Sequence, residues 1–171
     1  MITGSLIVLR SWTAEDVPQI QELKNDIDIQ SQLMGIPRPN SSNKILNWLK
    51  HRDKDDSMVF FVIARKQDNK AIGYVQISCL DKINLNGYLG ICIEQEFWGK
   101  GYANEALDLL TRYASSILNL RKIILLVKND NSRAIGFYKK TGFRKIGILK
   151  EHQIINGNWC DVLMMERFTT T

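Results

Sequence analysis

Apolar and polar positions follow two different periods along this chain, and each period predicts one type of element. Apolar runs rich in β-branched and aromatic residues predict strands, whereas apolar positions at helical spacing predict helices. The predicted strands are 6–10, 59–64, 72–80, 88–93, 122–127, 143–149 continued by 152–155, and 159–166. The predicted helices are 13–23, 45–49, 102–118 and 131–140.

Turn residues join these elements into an α+β arrangement. Asn156-Gly157 between two apolar runs predicts a tight hairpin, and the polar tetrapeptide 67–70 predicts another. The chain shows no internal repeat, low-complexity tract or interdomain linker. We therefore expect residues 1–171 to form a single domain around a mixed sheet.

Composition places the chain among ordinary globular proteins, because its 171 residues are 44% hydrophobic and 24% charged. The three cysteines, Cys79, Cys92 and Cys160, lie in apolar runs, which favours buried free thiols in a reducing compartment. His51 and His152 stand apart from other ligands, so no metal site is expected. The sequence has neither an apolar run of membrane-spanning length nor a signal-peptide pattern. We expect a cytoplasmic protein without a membrane partner.

The net charge of +5 is compatible with a nucleic acid, an anionic cofactor or a charged surface alone. The basic residues are spread along the chain and form no block. A charged surface is therefore favoured over nucleic-acid binding.

Two glycines mark the junction between a predicted strand and the long predicted helix. Gly99 and Gly101 let anionic oxygens approach the backbone, and the helix start supplies free N–H groups. Lys100 adds a mobile positive charge. A tight turn before a helix uses the same residues, so a phosphate site and a simple turn both remain open. The dinucleotide fingerprint does not fit, because its third glycine position holds Asn104, and the P-loop pattern is absent.

A second candidate segment opens the next predicted helix. Asn131 is placed to cap its N-terminus, and Tyr138 lies two helical turns later on the same face. By default, such a tyrosine packs in the core. Its phenol, with an ordinary pKa of about 10, can also donate a proton at neutral pH.

Three segments occur in this order along the chain: the turn "WGKGYANEA", the helix "NDNSRAIGFYKKTGF" and the hairpin "NGNWCDVLMME". Together they resemble the GCN5-related N-acetyltransferase (GNAT) superfamily, and within it the branch of ribosomal-protein and spermidine acetyltransferases. The resemblance extends over residues 6–168. It implies a mostly antiparallel mixed sheet of about seven strands, about four flanking helices and a splayed central strand pair.

The resemblance also implies acetyl-CoA as co-substrate, with its pyrophosphate on the glycine turn and its pantetheine arm on the preceding strand. The implied pyrophosphate residues are Trp98, Gly99, Lys100, Gly101, Tyr102, Ala103 and Asn104. The implied residues for the arm are Ile91, Cys92, Ile93 and Asn131. Trp98 replaces the glutamine or arginine of most of the superfamily, which removes one polar phosphate contact.

The chemistry implied by the resemblance is direct attack of a neutral primary amine on the acetyl carbonyl in a ternary complex. Tyr138 is the implied general acid for the departing thiolate, and a backbone N–H near Ile91 is the implied oxyanion donor. The base is not identified, because Tyr88 stands where many relatives have a glutamate, and Glu94 is interpreted as a surface carboxylate. Water-mediated deprotonation and an unidentified base both remain open.

The acceptor amine is expected to contact the first helices and the loop 34–43. That loop contains Arg38, and 35–43 has no carboxylate to hold a polycation. With the net charge of +5, this favours a protein N-terminal amine or an amino sugar over a polyamine. A catalytically inactive acyl-CoA-binding or sensing module is the alternative function, suggested by the missing strand glutamate. The branch also suggests a homo-oligomer.

Overall fold

An eight-stranded mixed sheet spans the structure, a computed structural model that describes residues 1–169. The strands are β1 (Ile2–Thr3), β2 (Ile7–Arg10), β3 (Val59–Arg65), β4 (Ala71–Asp81), β5 (Asn86–Ile93), β6 (Lys122–Lys128), β7 (Arg144–Ile155) and β8 (Asn158–Phe168). Their order across the sheet is β1-β2-β3-β4-β5-β6-β8-β7, and within the described residues only β5 and β6 pair in parallel. The α+β class and the mostly antiparallel sheet are confirmed; the two-residue β1 is an addition that the hydrophobic pattern does not predict.

Five α-helices flank the sheet within residues 1–169. They are α1 (Val17–Asn25), α2 (Ile27–Gln32), α3 (Ser42–Arg52), α4 (Tyr102–Ser116) and α5 (Ser132–Lys140). The side chains of Asp26, Ser41 and Asn131 each accept a backbone N–H in the first turn of the helix that follows. The sequence pattern does not predict α2, because its six residues hold too few apolar positions to show a helical period.

Apolar side chains are buried on both faces of the sheet. On one face α4 places Leu110 in the same buried cluster as Ile63 of β3, and both are fully buried. On the opposite face Leu49 of α3 covers Val62, and both are again fully buried. Burial of one such leucine contributes roughly 1.5–3 kcal/mol relative to exposure. The helices are therefore held against the sheet, and the sheet fixes the positions of their ends.

The parallel strands β5 and β6 separate part-way along their length. They pair from Asn86 to Tyr88 only, and the last pair joins Tyr88 to Ile124. On its other side β5 stays paired with β4 as far as Ile93. The backbone of 89–93 therefore has a free edge on the side of β6. This separation confirms the splayed strand pair.

The C-terminal strands form a hairpin that reaches the segment after α2. Asn156 and Gly157 occupy its turn with φ of 50° and 79°, as their sequence predicts. The two predicted segments before the turn form the single strand β7, whose register shifts where Glu151 adopts a φ of 46°. Near the tip of the hairpin, Gln153 Nε2 donates to the Met34 carbonyl at 2.7 Å.

All three cysteines are free thiols, but only Cys92 is buried. The expectation of three buried thiols is wrong for Cys160, which is half-buried, and for Cys79, which is exposed. Cys79 lies where the register of β4 shifts, and its φ of 51° takes it out of the regular strand alternation. No helix within residues 1–169 is long and apolar enough to cross a membrane. The same residues contain no group of three His, Cys, Asp or Glu side chains placed to hold a metal ion.

Candidate active site

A cleft of about 210 Å³ opens where β5 leaves β6. Its walls are the free end of β5, the glycine turn before α4, the first turns of α5, and α2 with the residue after it. The lining residues are Ile29, Gln32, Leu33, Ile91, Cys92, Ile93, Trp98, Gly99, Ala103, Asn131, Arg133, Ala134, Phe137 and Tyr138. The cleft brings together the strand, the turn and the helix that the sequence analysis identifies separately.

Both glycines of the turn adopt left-handed backbone conformations, with φ of 75° at Gly99 and 89° at Gly101. Any other L-residue would be strained at these positions. A side-chain carbon added at Gly99 would meet no atom within 4 Å, so the backbone there faces open space. Gly101 begins α4 without a side-chain cap, which leaves the first N–H groups of the helix free. The turn therefore has the properties of an anion site.

Three other predicted residues of the turn, Lys100, Tyr102 and Asn104, are not among the lining residues of the cleft. Lys100 Nζ lies 5.7 Å from the centre of the Phe97 ring, and Tyr102 packs edge-on against the same ring. Asn104 is exposed on α4. Since Lys100 does not line the cleft, its contribution to an anion site stays a prediction.

A different cation, which the sequence analysis missed, lines the cleft. The guanidinium of Arg133, from the first turn of α5, lies 3.8 Å from the centre of the Trp98 ring. The Trp98 indole N–H donates to the Ile93 carbonyl at 2.8 Å, which fixes the ring. Because the Ile93 carbonyl already accepts this hydrogen bond, β5 has one free backbone acceptor fewer for the expected contacts with the pantetheine arm. A basic residue just after a helix N-cap was the available signal, because the helix dipole disfavours it there.

The side chain of Asn131 makes hydrogen bonds with two other residues. Its Oδ1 accepts the N–H of Ala134 at 3.1 Å, as the N-cap of α5. Its Nδ2 donates to Gln32 Oε1 at 2.7 Å and so links α5 to α2 across the cleft. The capping role is confirmed, and α2 is a wall of the site that the sequence analysis did not identify as an element.

Tyr138 lines the cleft from α5. Its ring centre lies 5.2 Å from that of Phe137 and 5.7 Å from that of Phe143. Burial raises the pKa of its phenol to about 12. The hydroxyl therefore stays protonated at neutral pH, which a proton donor requires.

The thiol of Cys92 also lines the cleft, from the strand expected to bind the cofactor arm. Burial raises its pKa to about 12. A thiol that stays protonated is a poor nucleophile, so this cysteine is unsuited to carry the acetyl group.

The general base is not evident from the cleft, because within the described residues its lining contains no carboxylate. Tyr88 lies at the last pair of β5 with β6, where the strands begin to separate. Glu94, at the opposite end of β5, is half-buried, and its Oε1 has no hydrogen-bond partner among residues 1–169. Burial raises its pKa from the ordinary value of 4.5 to about 7. Glu94 is not among the lining residues of the cleft, and it is less exposed than the surface carboxylate expected from the sequence.

The loop expected to contact the acceptor lies outside the cleft. Arg38 lines a separate pocket with neighbouring loop residues, whereas α2 and the residue after it line the cleft itself. The start of α2 carries two exposed carboxylates, Asp26 and Asp28. Neither carboxylate is among the lining residues of the cleft, but both lie at the start of the helix that forms one of its walls.

Two further cations on the sheet face covered by α1 and α3 are held by an aromatic ring. Lys24 Nζ lies 4.9 Å and Arg52 Cζ 3.5 Å from the centre of the Trp48 ring. Burial lowers the pKa of both groups. Neither residue lines the cleft, and the shared ring joins α1 to α3.

Comparison with known proteins decides the family. Residues 7–144 match the family model described as an acetyltransferase (GNAT) domain. The chain belongs to the GNAT family. It is 32% identical over 162 residues to the spermidine N(1)-acetyltransferase of Vibrio cholerae serotype O1, covering 95% of this chain and 92% of that protein.

Two further comparisons extend this GNAT assignment. A crystal structure of spermidine N-acetyltransferase from Vibrio cholerae in complex with CoA and spermine matches with a TM-score of 0.89 at 30% identity, covering 97% of each chain. The [ribosomal protein uS5]-alanine N-acetyltransferase of Escherichia coli is 27% identical over 124 residues, which cover 72% of this chain and 64% of that protein.

The GNAT chain is an acetyl-CoA-dependent N-acetyltransferase. The family, the enzyme class and the co-substrate implied by the three sequence segments are thereby confirmed.

Proposed function

We propose that this GNAT enzyme acetylates a primary amine of a small polyamine. The observation that carries the proposal is coverage: the match to the spermidine enzyme extends over 95% of the chain, against 72% for the ribosomal-protein enzyme. The preference for a protein N-terminal amine or an amino sugar rests on Arg38 and net charge. Arg38 lies in a pocket apart from the cleft, so that preference loses its local support.

The chemistry of the cleft supports an aliphatic amine. Ile29, Leu33 and Phe137 supply apolar surface for a methylene chain. The exposed carboxylates of Asp26 and Asp28 at the start of α2 would attract the remaining ammonium groups of a polyamine.

We assign the catalytic acid to Tyr138. In the ternary complex the neutral amine attacks the acetyl carbonyl carbon, and the carbon–sulfur bond of the thioester then breaks. Tyr138 gives its proton to the departing sulfur, which leaves as the CoA thiol. The backbone N–H of Ile91 donates to the carbonyl oxygen as its negative charge develops. Within the described residues no carboxylate lines the cleft, so water takes the proton from the amine, and solvent returns a proton to the Tyr138 phenolate.

We assign the acetyl-CoA contacts to the glycine turn and the free edge of β5. Trp98, Gly99 and Ala103 line the cleft beside the uncapped start of α4, which suits the pyrophosphate. The backbone of 91–93, unpaired toward β6, suits the amide groups of the pantetheine arm. Asn131 lies opposite and faces the same cleft.

An amine panel tests the acceptor. Thiol release from acetyl-CoA is measured with spermidine, spermine, a peptide with a free N-terminus and glucosamine 1-phosphate. We expect kcat/KM for spermidine to exceed the value for the peptide and the amino sugar by more than about tenfold, a difference of about 1.4 kcal/mol. A preference for the peptide or the amino sugar would contradict the polyamine. Acetyl-CoA binding without acceleration by any amine would instead support an acyl-CoA-binding module.

A further inference from the structure

Arg133 is the only charged side chain among the lining residues of the cleft within the described chain. Sequence analysis assigns it no role, and it differs from Lys100, whose ammonium turns toward Phe97. We propose that Arg133 binds the pyrophosphate of acetyl-CoA and replaces the polar contact that tryptophan at position 98 removes. The proposal rests on acetyl-CoA as co-substrate and is independent of the acceptor amine.

The geometry holds the guanidinium beside the glycine turn. Its carbon lies 3.8 Å from the centre of the Trp98 ring, a stacking distance that leaves its edge N–H groups free to donate. The ring cannot turn freely, because its indole N–H is bonded to the Ile93 carbonyl at 2.8 Å. The next residue, Gly99, exposes its backbone to open space. Arg133 is thus preorganised next to the backbone groups suited to phosphate.

The charges of α5 itself do not favour a cation at this position. Arg133 lies in the first turn of the helix, where the positive end of the dipole disfavours a cation. The first turn has no acidic residue. None of the ion pairs found within residues 1–169 includes Arg133. An anion bound in the cleft would supply the missing opposite charge.

The pyrophosphate is the part of the cofactor that fits this position. The start of α4 has no side-chain cap, and Ala103 of its first turn lines the same cleft as Gly99 and Arg133. A planar guanidinium can donate two parallel hydrogen bonds to phosphate oxygens, which a lysine cannot. Trp98 therefore acts as a platform: it gives up a direct phosphate contact and positions an arginine that makes one.

The test uses the intact protein and three probes: CoA, 3′-dephospho-CoA and pantetheine, which carries no phosphate. Dissociation constants are measured by calorimetry for the wild type, Arg133→Met, Arg133→Lys and the control Arg112→Met. Arg112 is exposed on α4 and lines a different pocket, so the control removes the same charge elsewhere. We expect Arg133→Met to raise the dissociation constants of CoA and of 3′-dephospho-CoA by a similar factor, about tenfold or more. Pantetheine affinity should be unchanged, and Arg133→Lys should be intermediate.

Thermal unfolding of the free protein separates this role from a structural one. Arg133→Met should change the melting temperature little, because removal of a cation from a helix N-terminus offsets the loss of its stacking on Trp98. Trp98→Leu, which removes the platform, should weaken CoA at least as much as Arg133→Met.

Each remaining outcome would overturn the proposal. If Arg133→Met binds CoA with an affinity within twofold of the wild type, Arg133 does not contact the pyrophosphate. If Arg133→Met weakens the binding of CoA but not of 3′-dephospho-CoA, Arg133 contacts the 3′-phosphate instead of the pyrophosphate. An equal loss with pantetheine, or by Arg112→Met, would reveal a structural or long-range charge effect. All these outcomes can be read without any amine acceptor, so failure of the polyamine proposal leaves the test intact.

Discussion

At the scale of single residues, Tyr138 combines a position in the cleft with a pKa raised to about 12. The phenol is therefore fully protonated at neutral pH, as a proton donor must be. Tyr138→Phe should lower kcat by about 10²-fold, the lower end of the range for general acids. Acetyl-CoA affinity should change little, because the phenyl ring preserves the aromatic contacts with Phe137 and Phe143. Thiol release with spermidine and acetyl-CoA calorimetry measure the two effects.

Full activity of Tyr138→Phe would remove the acid assignment and leave protonation of the thiolate to water. An equal loss of kcat and of acetyl-CoA affinity would point to a packing role instead.

The left-handed conformation of Gly101 makes a second prediction. With φ at 89°, Gly101→Ala forces an L-residue into the left-handed region and should reduce the free energy of unfolding by about 1 kcal/mol. The substitution should also weaken the binding of acetyl-CoA, because the start of α4 would shift. Gly136→Ala is the matched control, because its added carbon meets no atom within 4 Å in the helix α5. The control should gain about 0.5–1 kcal/mol in urea unfolding.

Stability should depend on pH through Glu94. Its pKa is about 7 in the folded protein against an ordinary 4.5, so the folded state holds a proton that the unfolded state has released between these values. The associated stability is complete below about pH 4.5 and is lost as pH rises through about 7. Glu94→Gln should therefore match the wild type at low pH and exceed it above pH 7.

The expected gain for Glu94→Gln at pH 8 is on the order of 1 kcal/mol, after discounting for solvent screening of a half-exposed group. Thermal unfolding of both proteins at pH 5 and pH 8 measures it. A difference that is the same at both pH values would show that the carboxylate is not perturbed by burial.

At the scale of elements, Asn131 joins α5 to α2. Asn131→Ala removes the N-cap and should reduce the free energy of unfolding by about 1 kcal/mol. Asn131→Ser keeps a capping oxygen but loses the amide that donates to Gln32. If Asn131 also contacts the cofactor, both variants should bind acetyl-CoA more weakly, although only the alanine variant loses the cap. If Asn131→Ser binds acetyl-CoA with the affinity of the wild type, Asn131 acts only as the N-cap of α5.

The strands β2 to β8 and the helices α1, α3, α4 and α5 could be predicted because each has a clear period in its own residues. Helix α2 could not, because it is short and is specified by a cap at Asp26 and by contacts with residues distant in sequence. Glu105 illustrates the same limit within a recognised motif. Its carboxylate accepts the backbone N–H groups of Leu6 and Ile7 at 2.8 and 2.9 Å, so it anchors β2 to α4.

At the scale of the whole molecule, the separation of β5 from β6 creates the site, and no local pattern in either strand encodes it. The family resemblance implied it, together with the catalytic role of Tyr138, whereas the glycine turn was identified from its own residues. Arg133 was missed because the resemblance directed attention to Lys100, and only the folded chain reveals which cation lies on Trp98. Residue periods thus predicted the scaffold, whereas the composition of the cleft depended on which turns of α2 and α5 meet.

Because of the free edge of β5, the sheet lacks one set of strand-to-strand hydrogen bonds. The two amides of the pantetheine arm would make hydrogen bonds there, as a neighbouring strand would. Backbone amides of 89–93 that now point toward β6 have no strand partner, so their hydrogens should exchange with deuterated solvent within a short time. Binding of CoA should slow that exchange, while the amides of β3 remain unaffected. The hydrogen-exchange pattern of a few adjacent residues would then report occupancy of the enzyme directly, before any acceptor is known.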